Sequence, residues 1–316
     1  RMPPTMTASS VVICLLLLCT SQLILADSSS CVIDYSQVNS WGSMCNGAWS
    51  TCSSGRQQSP ISIDTSTAIT DVNKPVTILK FKSVFATQFN RSGLAVVDVA
   101  TPTTDPYLSG GPLGGSHYLS SISIHAPSEH AFDNFRASAA AQFWFRDANH
   151  NPTVVLDLMF IDNSQEPNTW VDKLLLAMRT NSTTLDLNPT GSFPTDMTYY
   201  FYPGSDAVPP CTEGWTWMIL RNPMPVTLSQ VAALRSWQGV DRIRPLQPLN
   251  GRNVTLEYSH IIVEEDPNTF VALISVFALL CLVGGVLAIV VNRQATQVLE
   301  KRKEERQSYL AAHRHQ

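Results

Sequence analysis

Short runs in which apolar residues stand together or alternate with polar ones recur through the middle of the chain. Runs rich in β-branched and aromatic residues, with Gly and Pro between them, are typical of strands. The runs predict strands at 76–81, 94–99, 118–124, 141–145, 154–161 and 215–220. Apolar residues three to four positions apart predict helices only at 170–178 and 228–236. The pattern indicates one β-dominated α+β domain with few short helices.

Two longer apolar runs lie toward the ends of the chain. Residues 11–25 contain four consecutive leucines and precede a small residue, Ala26, which predicts a signal peptide over 1–26; a retained N-terminal anchor is the alternative. Residues 269–291 are 23 positions without a charge, and as a helix they would span ~34 Å, enough to cross a bilayer. The chain therefore divides into a signal peptide, an outer segment (27–268), a transmembrane helix (269–291) and a tail (292–316).

Charges on either side of the transmembrane segment predict its orientation. Glu264, Glu265 and Asp266 precede it, and five basic residues follow it at 293, 301, 302, 303 and 306. Positive charge is retained on the cytoplasmic side. We therefore expect a type I single-pass protein of the plasma membrane or another surface membrane, with an extracellular ectodomain and a cytoplasmic tail.

The outer segment carries features of a secreted chain. Three Asn-x-Ser/Thr sequons predict glycosylation at Asn90, Asn181 and Asn253. The cysteines between the two apolar runs are Cys31, Cys45, Cys52 and Cys211. An even number in an oxidising compartment indicates two disulfides, and the count alone leaves three pairings open.

Several sequence motifs occur in order along the outer segment. They read RQQSPI at 56–61, ISIHAPSEH at 122–130, AQFWFRD at 141–147, YPGS at 202–205, PPCTEG at 209–214 and QPLNGR at 247–252. Together these motifs closely resemble the α-carbonic anhydrase family over roughly 38–263. The resemblance implies a large mixed, mainly antiparallel sheet of about ten strands. It also implies a disulfide between Cys52 and Cys211, which leaves Cys31 with Cys45.

In that family, two histidines on one strand and a third on the next hold zinc. By the resemblance, the three ligand positions are Ser123, His125 and Trp144 in this chain. Side chains alternate along a strand, so Ser123 and His125 share one face, as do Gln142, Trp144 and Arg146. Of the three side chains, only that of His125 could bind a metal, because serine hydroxyl binds zinc poorly and an indole N–H only donates. We therefore expect no zinc and no other cofactor, and His125 bonded to Ser123 or Gln142.

Other positions implied by the resemblance have changed as well. The family's threonine that orients metal-bound hydroxide falls on Ala207, and its glutamate beside the third ligand falls on Gln142. Glu129 and His130 match family residues. We expect both to be buried polar groups bonded to backbone, since buried polar groups must find partners whether or not they catalyse. No residue of this degenerate site is predicted to be catalytic.

Charge narrows the classes of partner. Residues 27–268 contain 22 acidic and 14 basic side chains, a net charge of −8. This balance argues against nucleic acid and disfavours sulfated glycan. The sequence predicts a non-enzymatic surface binding or scaffold protein, an accessory subunit with an extracellular or membrane protein partner. Two alternatives stay open: a weak or divergent zinc carbonic anhydrase, and a glycan-binding surface receptor.

Overall fold

The computed structural model describes residues 31–71, 77–81, 84–90, 95–99, 107–149, 151–257, 262–264 and 267–312. The predicted signal peptide lies outside the described residues. Within them, one large sheet with short helices forms the body of the protein. The predicted α+β, β-dominated class is confirmed.

The secondary structure consists mainly of strands. The strands are β1 (Ser62–Ile63), β2 (Ile69–Asp71), β3 (Thr77–Lys80), β4 (Ala86–Asn90), β5 (Ala95–Val99), β6 (Tyr107–Gly110), β7 (Ser116–His125), β8 (Ala131–Phe132), β9 (Phe135–Arg136), β10 (Ala139–Arg146), β11 (Pro152–Ile161), β12 (Tyr199–Ser205), β13 (Glu213–Leu220), β14 (Met224–Pro225), β15 (Thr255–Glu257) and β16 (Ile262–Glu264). The α-helices are α1 (Thr51–Ser54), α2 (Thr169–Thr180), α3 (Leu228–Gln238) and α4 (Pro267–Ala312). Three 3₁₀ segments span Tyr35–Ser43, Cys45–Gly47 and Thr190–Ser192.

The large sheet is mixed. Its main path runs β16-β3-β6-β7-β10-β11-β13-β12-β15-β2, with β4, β5 and β14 attached to it. The pairs from β3 through β11 along this path are antiparallel, whereas β11 and β13 run parallel. A second, three-stranded sheet joins β1, β8 and β9. Among the described residues this sheet has 13 strands, ten of them on the main path, where about ten were expected in all.

Alternation along β10 separates two apolar layers. Phe143 and Phe145 are fully buried in a core that includes residues of α2, while Trp144 packs against a second cluster on the other side of the sheet. Fully burying one such side chain contributes about 1.5–3 kcal/mol. Because successive side chains in a strand point to opposite faces, the same strand supplies both the core and the site.

Helix α3 reaches the end of β7 at the site. A capping box at Thr227 and Gln230 satisfies backbone groups at the start of the helix. At its other end, the Gln238 side-chain oxygen accepts a 2.9 Å hydrogen bond from the Ala126 backbone N–H. This contact ties the residue that follows His125 to the helix.

Two disulfides and two exposed sequon asparagines lie in the outer segment. The structure joins Cys31 to Cys45 and Cys52 to Cys211, the pairing that the resemblance implies. Asn181 caps the C-terminus of α2 in a left-handed conformation, with φ of 51°, and is exposed, as is Asn253. β4 ends at Asn90, whose side chain lies outside the described part.

Helix α4 contains the predicted transmembrane segment. Over the described residues, its Ile274–Lys303 portion is the candidate span long and apolar enough to cross a membrane. The side chains described along it are exposed, including Phe277 and Leu282. At about 1.5 Å per residue, the 46 residues of α4 extend ~69 Å. The helix therefore continues well past the apolar run into the charged tail.

Loss of the Cys52–Cys211 disulfide is expected to destabilise the protein more than loss of Cys31–Cys45. The first pair is separated by 159 residues and the second by 14. In the chain-entropy model the longer loop is worth about 5 kcal/mol and the shorter about 3 kcal/mol. Double Cys→Ser variants of each pair should be compared by chemical unfolding of the full-length protein in detergent. Equal losses of unfolding free energy would contradict the prediction.

Candidate functional site

The site lies where β7 and β10 pair in antiparallel register. Ser123 is the cross-strand partner of Gln142, and His125 is the partner of Ala140. Ser123 and His125 point to the same side and are each 1% exposed. A bulge between Trp144 and Phe145 shifts the register one residue beyond the site. The strand pairing therefore places the polar side chains of two strands against one another inside the protein.

The three positions that the resemblance assigns to ligands contact each other directly. The Trp144 indole Nε1–H donates a 2.8 Å hydrogen bond to Ser123 Oγ. His125 Nε2 lies 3.3 Å from the same oxygen. Ser123 thus connects the other two side chains.

Gln142 and Glu129 extend this network deeper into the protein. The Ser123 hydroxyl donates to Gln142 Oε1 over 3.2 Å, and Gln142 Nε2 donates to Glu129 Oε2 over 3.1 Å. Glu129 Oε2 also lies 3.7 Å from His125 Nε2. The amide of Gln142 therefore connects an uncharged hydroxyl to a buried carboxyl group.

The donor set of these positions does not fit zinc. Zinc sites use thiolate, imidazole or carboxylate ligands at about 2.0–2.3 Å. The ring nitrogen of Trp144 offers a hydrogen rather than a lone pair, and that hydrogen is directed at Ser123 Oγ. The part of the chain that the structure describes contains no cluster of three His, Cys, Asp or Glu side chains arranged to hold a metal.

Some polar atoms at the site have no partner in the described structure. These buried atoms include Glu129 Oε1, His125 Nδ1 and the Tyr35 hydroxyl oxygen. Ala207, at the position where the resemblance expects a threonine, is buried but has only a methyl group. Burial raises the pKa of Tyr35, and the charge of Glu129 raises it further. Tyr35 is therefore a neutral hydroxyl at neutral pH.

His130 belongs to a second buried chain of hydrogen bonds. Its Nδ1 lies 2.9 Å from Asp157 Oδ2, and its Nε2 lies 2.6 Å from the Tyr202 hydroxyl. The Tyr202 hydroxyl lies 2.8 Å from Ser59 Oγ. Burial raises the pKa of Tyr202, so its hydroxyl keeps its proton.

The expected partners of Glu129 and His130 are corrected by these contacts. Both side chains are buried as expected, but they bond to side chains rather than to backbone. Asp157 was not foreseen, although one acidic residue inside the apolar run 154–161 was a signal. Asp157 is the direct cross-strand partner of Gln142. A buried carboxyl group thus lies on β11, opposite the position where the resemblance expects one on β10.

Two more tryptophans and two charged residues lie beside Trp144. Trp144 packs edge-on against Trp215 and Trp217, with ring centroids 4.9 and 5.6 Å apart. The Arg146 guanidinium lies 5.7 Å from the Trp215 ring centre. Burial raises the pKa of Asp206 to about 6, while the charge of Arg146 opposes that rise. The sequence pattern predicted that Trp144 and Arg146 share a face of the strand, but not that Asp206 lies close enough to Arg146 to feel its charge.

Comparison with known proteins shows matches over this whole region. The family model for eukaryotic-type carbonic anhydrase matches residues 36–258. A carbonic anhydrase of Klebsiella pneumoniae is 29% identical over 228 residues, covering 68% of this chain and 85% of the relative. Dioscorin DB3S of Dioscorea polystachya is 26% identical over 222 residues, covering 68% and 81%.

Solved structures show the same likeness. The α-carbonic anhydrase of Thermovibrio ammonificans, in complex with the inhibitor sulfanilamide, has a TM-score of 0.61 at 28% identity and covers 69% of this chain and 94% of its own. Dioscorin complexed with ascorbate has a TM-score of 0.62 at 26% identity, covering 71% and 94%. The residues matched by the family model, 36–258, include β7, β10 and the site between them.

Removing a tyrosine hydroxyl should lower the free energy of unfolding more where that hydroxyl has hydrogen-bond partners than where it has none. Tyr202→Phe takes a partner from both His130 and Ser59, so we expect it to lower the free energy of unfolding by about 1–3 kcal/mol. Tyr35→Phe removes the same atom where it has no partner in the described structure, and should cost less than about 0.5 kcal/mol or stabilise the protein. Chemical unfolding followed by tryptophan fluorescence measures both. Similar losses for the two variants would show that the hydrogen-bond assignment is wrong.

Proposed function

The chain belongs to the eukaryotic-type carbonic anhydrase family, and we propose that this member is a non-enzymatic binding or scaffold protein at a cell surface. The proposal rests on one observation above others. At the place where the resemblance assigns a zinc site, the Trp144 indole donates directly to Ser123 Oγ over 2.8 Å. The indole N–H has no lone pair to offer a metal, and the hydroxyl that accepts its hydrogen bond is not among the usual ligands of a catalytic zinc.

The surroundings of this contact support the same interpretation. Catalysis by a family member would need a polarised water and a group to orient it. Ala207 has no hydroxyl, and the amide of Gln142 is engaged with Ser123 and Glu129. The ring of Trp144 packs against Trp215 and Trp217, so it contributes to the packing of this region as a core residue does. The positions that would carry chemistry contribute instead to stability.

The proposed location follows from the two ends of the chain. The predicted signal peptide and the apolar helix α4 together support a single-pass protein with 27–268 outside and 292–316 in the cytoplasm. Two disulfides and exposed Asn181 and Asn253 are compatible with an oxidising, glycosylating route. The stable ectodomain would then present its loops to an extracellular or membrane protein partner.

A protein partner is favoured over a polyanion. The net charge of −8 across 27–268 opposes nucleic acid and sulfated glycan. Phe135, the first residue of β9, is 81% exposed, and a large exposed aromatic ring is a common contact in protein interfaces. We propose an accessory subunit within a larger membrane or surface assembly.

Zinc content separates this function from that of a divergent carbonic anhydrase. We expect the native full-length protein to retain no stoichiometric zinc after dialysis. The double variant Ser123→His, Trp144→His should take up about one zinc per chain, because three imidazoles then surround the same point. Elemental analysis measures the metal, and a CO₂ hydration assay measures the activity.

A matched control uses the double variant Ser123→Ala, Trp144→Phe. It removes the same indole–hydroxyl hydrogen bond but supplies no imidazole, so it should bind no zinc. Stoichiometric zinc together with CO₂ hydration in the native protein would overturn the non-enzymatic proposal and favour the enzyme.

The partner proposal is tested separately from the metal. Gently solubilised protein from its native membrane should elute as a complex, with crosslinks from the ectodomain to a second polypeptide. Phe135→Ser should reduce these crosslinks with little effect on stability, because this ring is mostly exposed. Recovery of the native protein as a lone monomer would contradict the accessory-subunit role. Salt-sensitive capture on sulfated glycan would favour the receptor alternative.

A further inference from the structure

A polar cavity of about 430 Å³ lies away from the indole–hydroxyl contact, beside the Cys52–Cys211 disulfide. Residues of the first 3₁₀ segment, of α1 and of the stretch 244–250 line it. Most of its polar lining is neutral amide or hydroxyl, from Asn39, Ser53, Gln58, Gln247 and Asn250. Arg244 is also in the lining, although this residue is only 3% exposed. The cavity therefore has one positive charge set into its wall.

The hydrogen bonds of Arg244 leave part of its guanidinium group for a ligand. One terminal nitrogen donates to Gln58 Oε1 over 2.9 Å and to the Ser59 carbonyl over 2.8 Å. The other donates to the Cys52 carbonyl over 2.7 Å. A guanidinium has five N–H groups, and these contacts use three of them. All three acceptors are uncharged oxygens.

No counter-ion compensates this buried charge within the described part of the chain, where no carboxylate oxygen lies within 4.0 Å of Arg244. Burial lowers the pKa of Arg244 to about 10, and the more distant Glu129 opposes that shift. Glu213, the acidic residue next to Gln58, bonds to the Gln58 side chain and the Gln57 backbone. Among the described residues, no acidic side chain lines the cavity.

We propose that this cavity binds a carboxylate group, held by the remaining N–H groups of Arg244 and by neighbouring amide and hydroxyl donors. A planar guanidinium matches a carboxylate in two parallel hydrogen bonds, which a compact ammonium cannot do. The carboxylate belongs either to a small free acid or to an acidic side chain of a peptide. The site shares no residue with the Ser123–Trp144 contact, and the inference does not depend on the proposed scaffold function.

Acetate and the capped peptide N-acetyl-Gly-Glu-Gly-amide serve as probes for the full-length protein in detergent. Either probe should raise the melting temperature in a saturable way at ionic strength held constant with sodium chloride, since a ligand that binds only the folded state stabilises it. Asn39→Asp places a negative charge in the cavity lining without changing side-chain shape. It should weaken the apparent binding constant about tenfold.

The matched control is Asn149→Asp, the same change at an exposed position of the turn between β10 and β11. It should bind as the native protein does. Arg244→Lys should abolish binding. If Arg244→Lys does not fold, the comparison of Asn39→Asp with Asn149→Asp tests the proposal by itself. Stronger binding of the peptide would point to a protein ligand, and equal binding to a free acid. No saturable shift with either probe, or equal binding by the two Asn→Asp variants, would overturn the proposal.

Discussion

Backbone hydrogen bonds between β7 and β10 set Ser123 opposite Gln142, and the contacts of the site follow from that register. With this pairing, Trp144 projects on the same side as Ser123 and its indole reaches the hydroxyl. A slip of one residue would move these side chains into the opposite apolar layer, where Phe143 and Phe145 are buried. The strand geometry that can hold a metal in the family therefore holds a hydrogen-bonded network here.

The buried polar atoms of the site differ in whether they have hydrogen-bond partners. Buried polar atoms are stabilised only when they find partners, and most of those around Ser123 do. Glu129 Oε1 and His125 Nδ1 do not, within the described structure. Asp157 supplies a carboxyl group to His130 from the strand next to Gln142. A buried carboxyl group thus lies on β11, across from the position on β10 where the resemblance expects one.

The fold is stabilised by features that lie outside the Ser123–Trp144 contact. Its large sheet is held by two apolar layers and by a disulfide that joins residues 159 positions apart. None of these features depends on a metal. A family fold can host different functions, so the function of this chain has to be argued from its sites. The indole–hydroxyl contact and the cavity at Arg244 are two such sites, and they involve different residues.

The class of fold and several strands could be predicted from the sequence, and the resemblance placed Ser123 and Trp144 at two of the three expected ligand positions. Alternation and apolar runs are local properties, so 141–145 and 154–161 could be assigned to strands, and 170–178 to a helix, without tertiary contacts. The chemistry of Ser123 and Trp144 is equally a property of residue type. The tertiary structure was needed to show that Trp144 bonds to Ser123, that Asp157 bonds to His130, and that Arg244 lines a cavity with no counter-ion among the described residues. These contacts join residues 21, 27 and more than 180 positions apart. Their distances depend on sheet register and on packing between layers, which local periodicity does not encode.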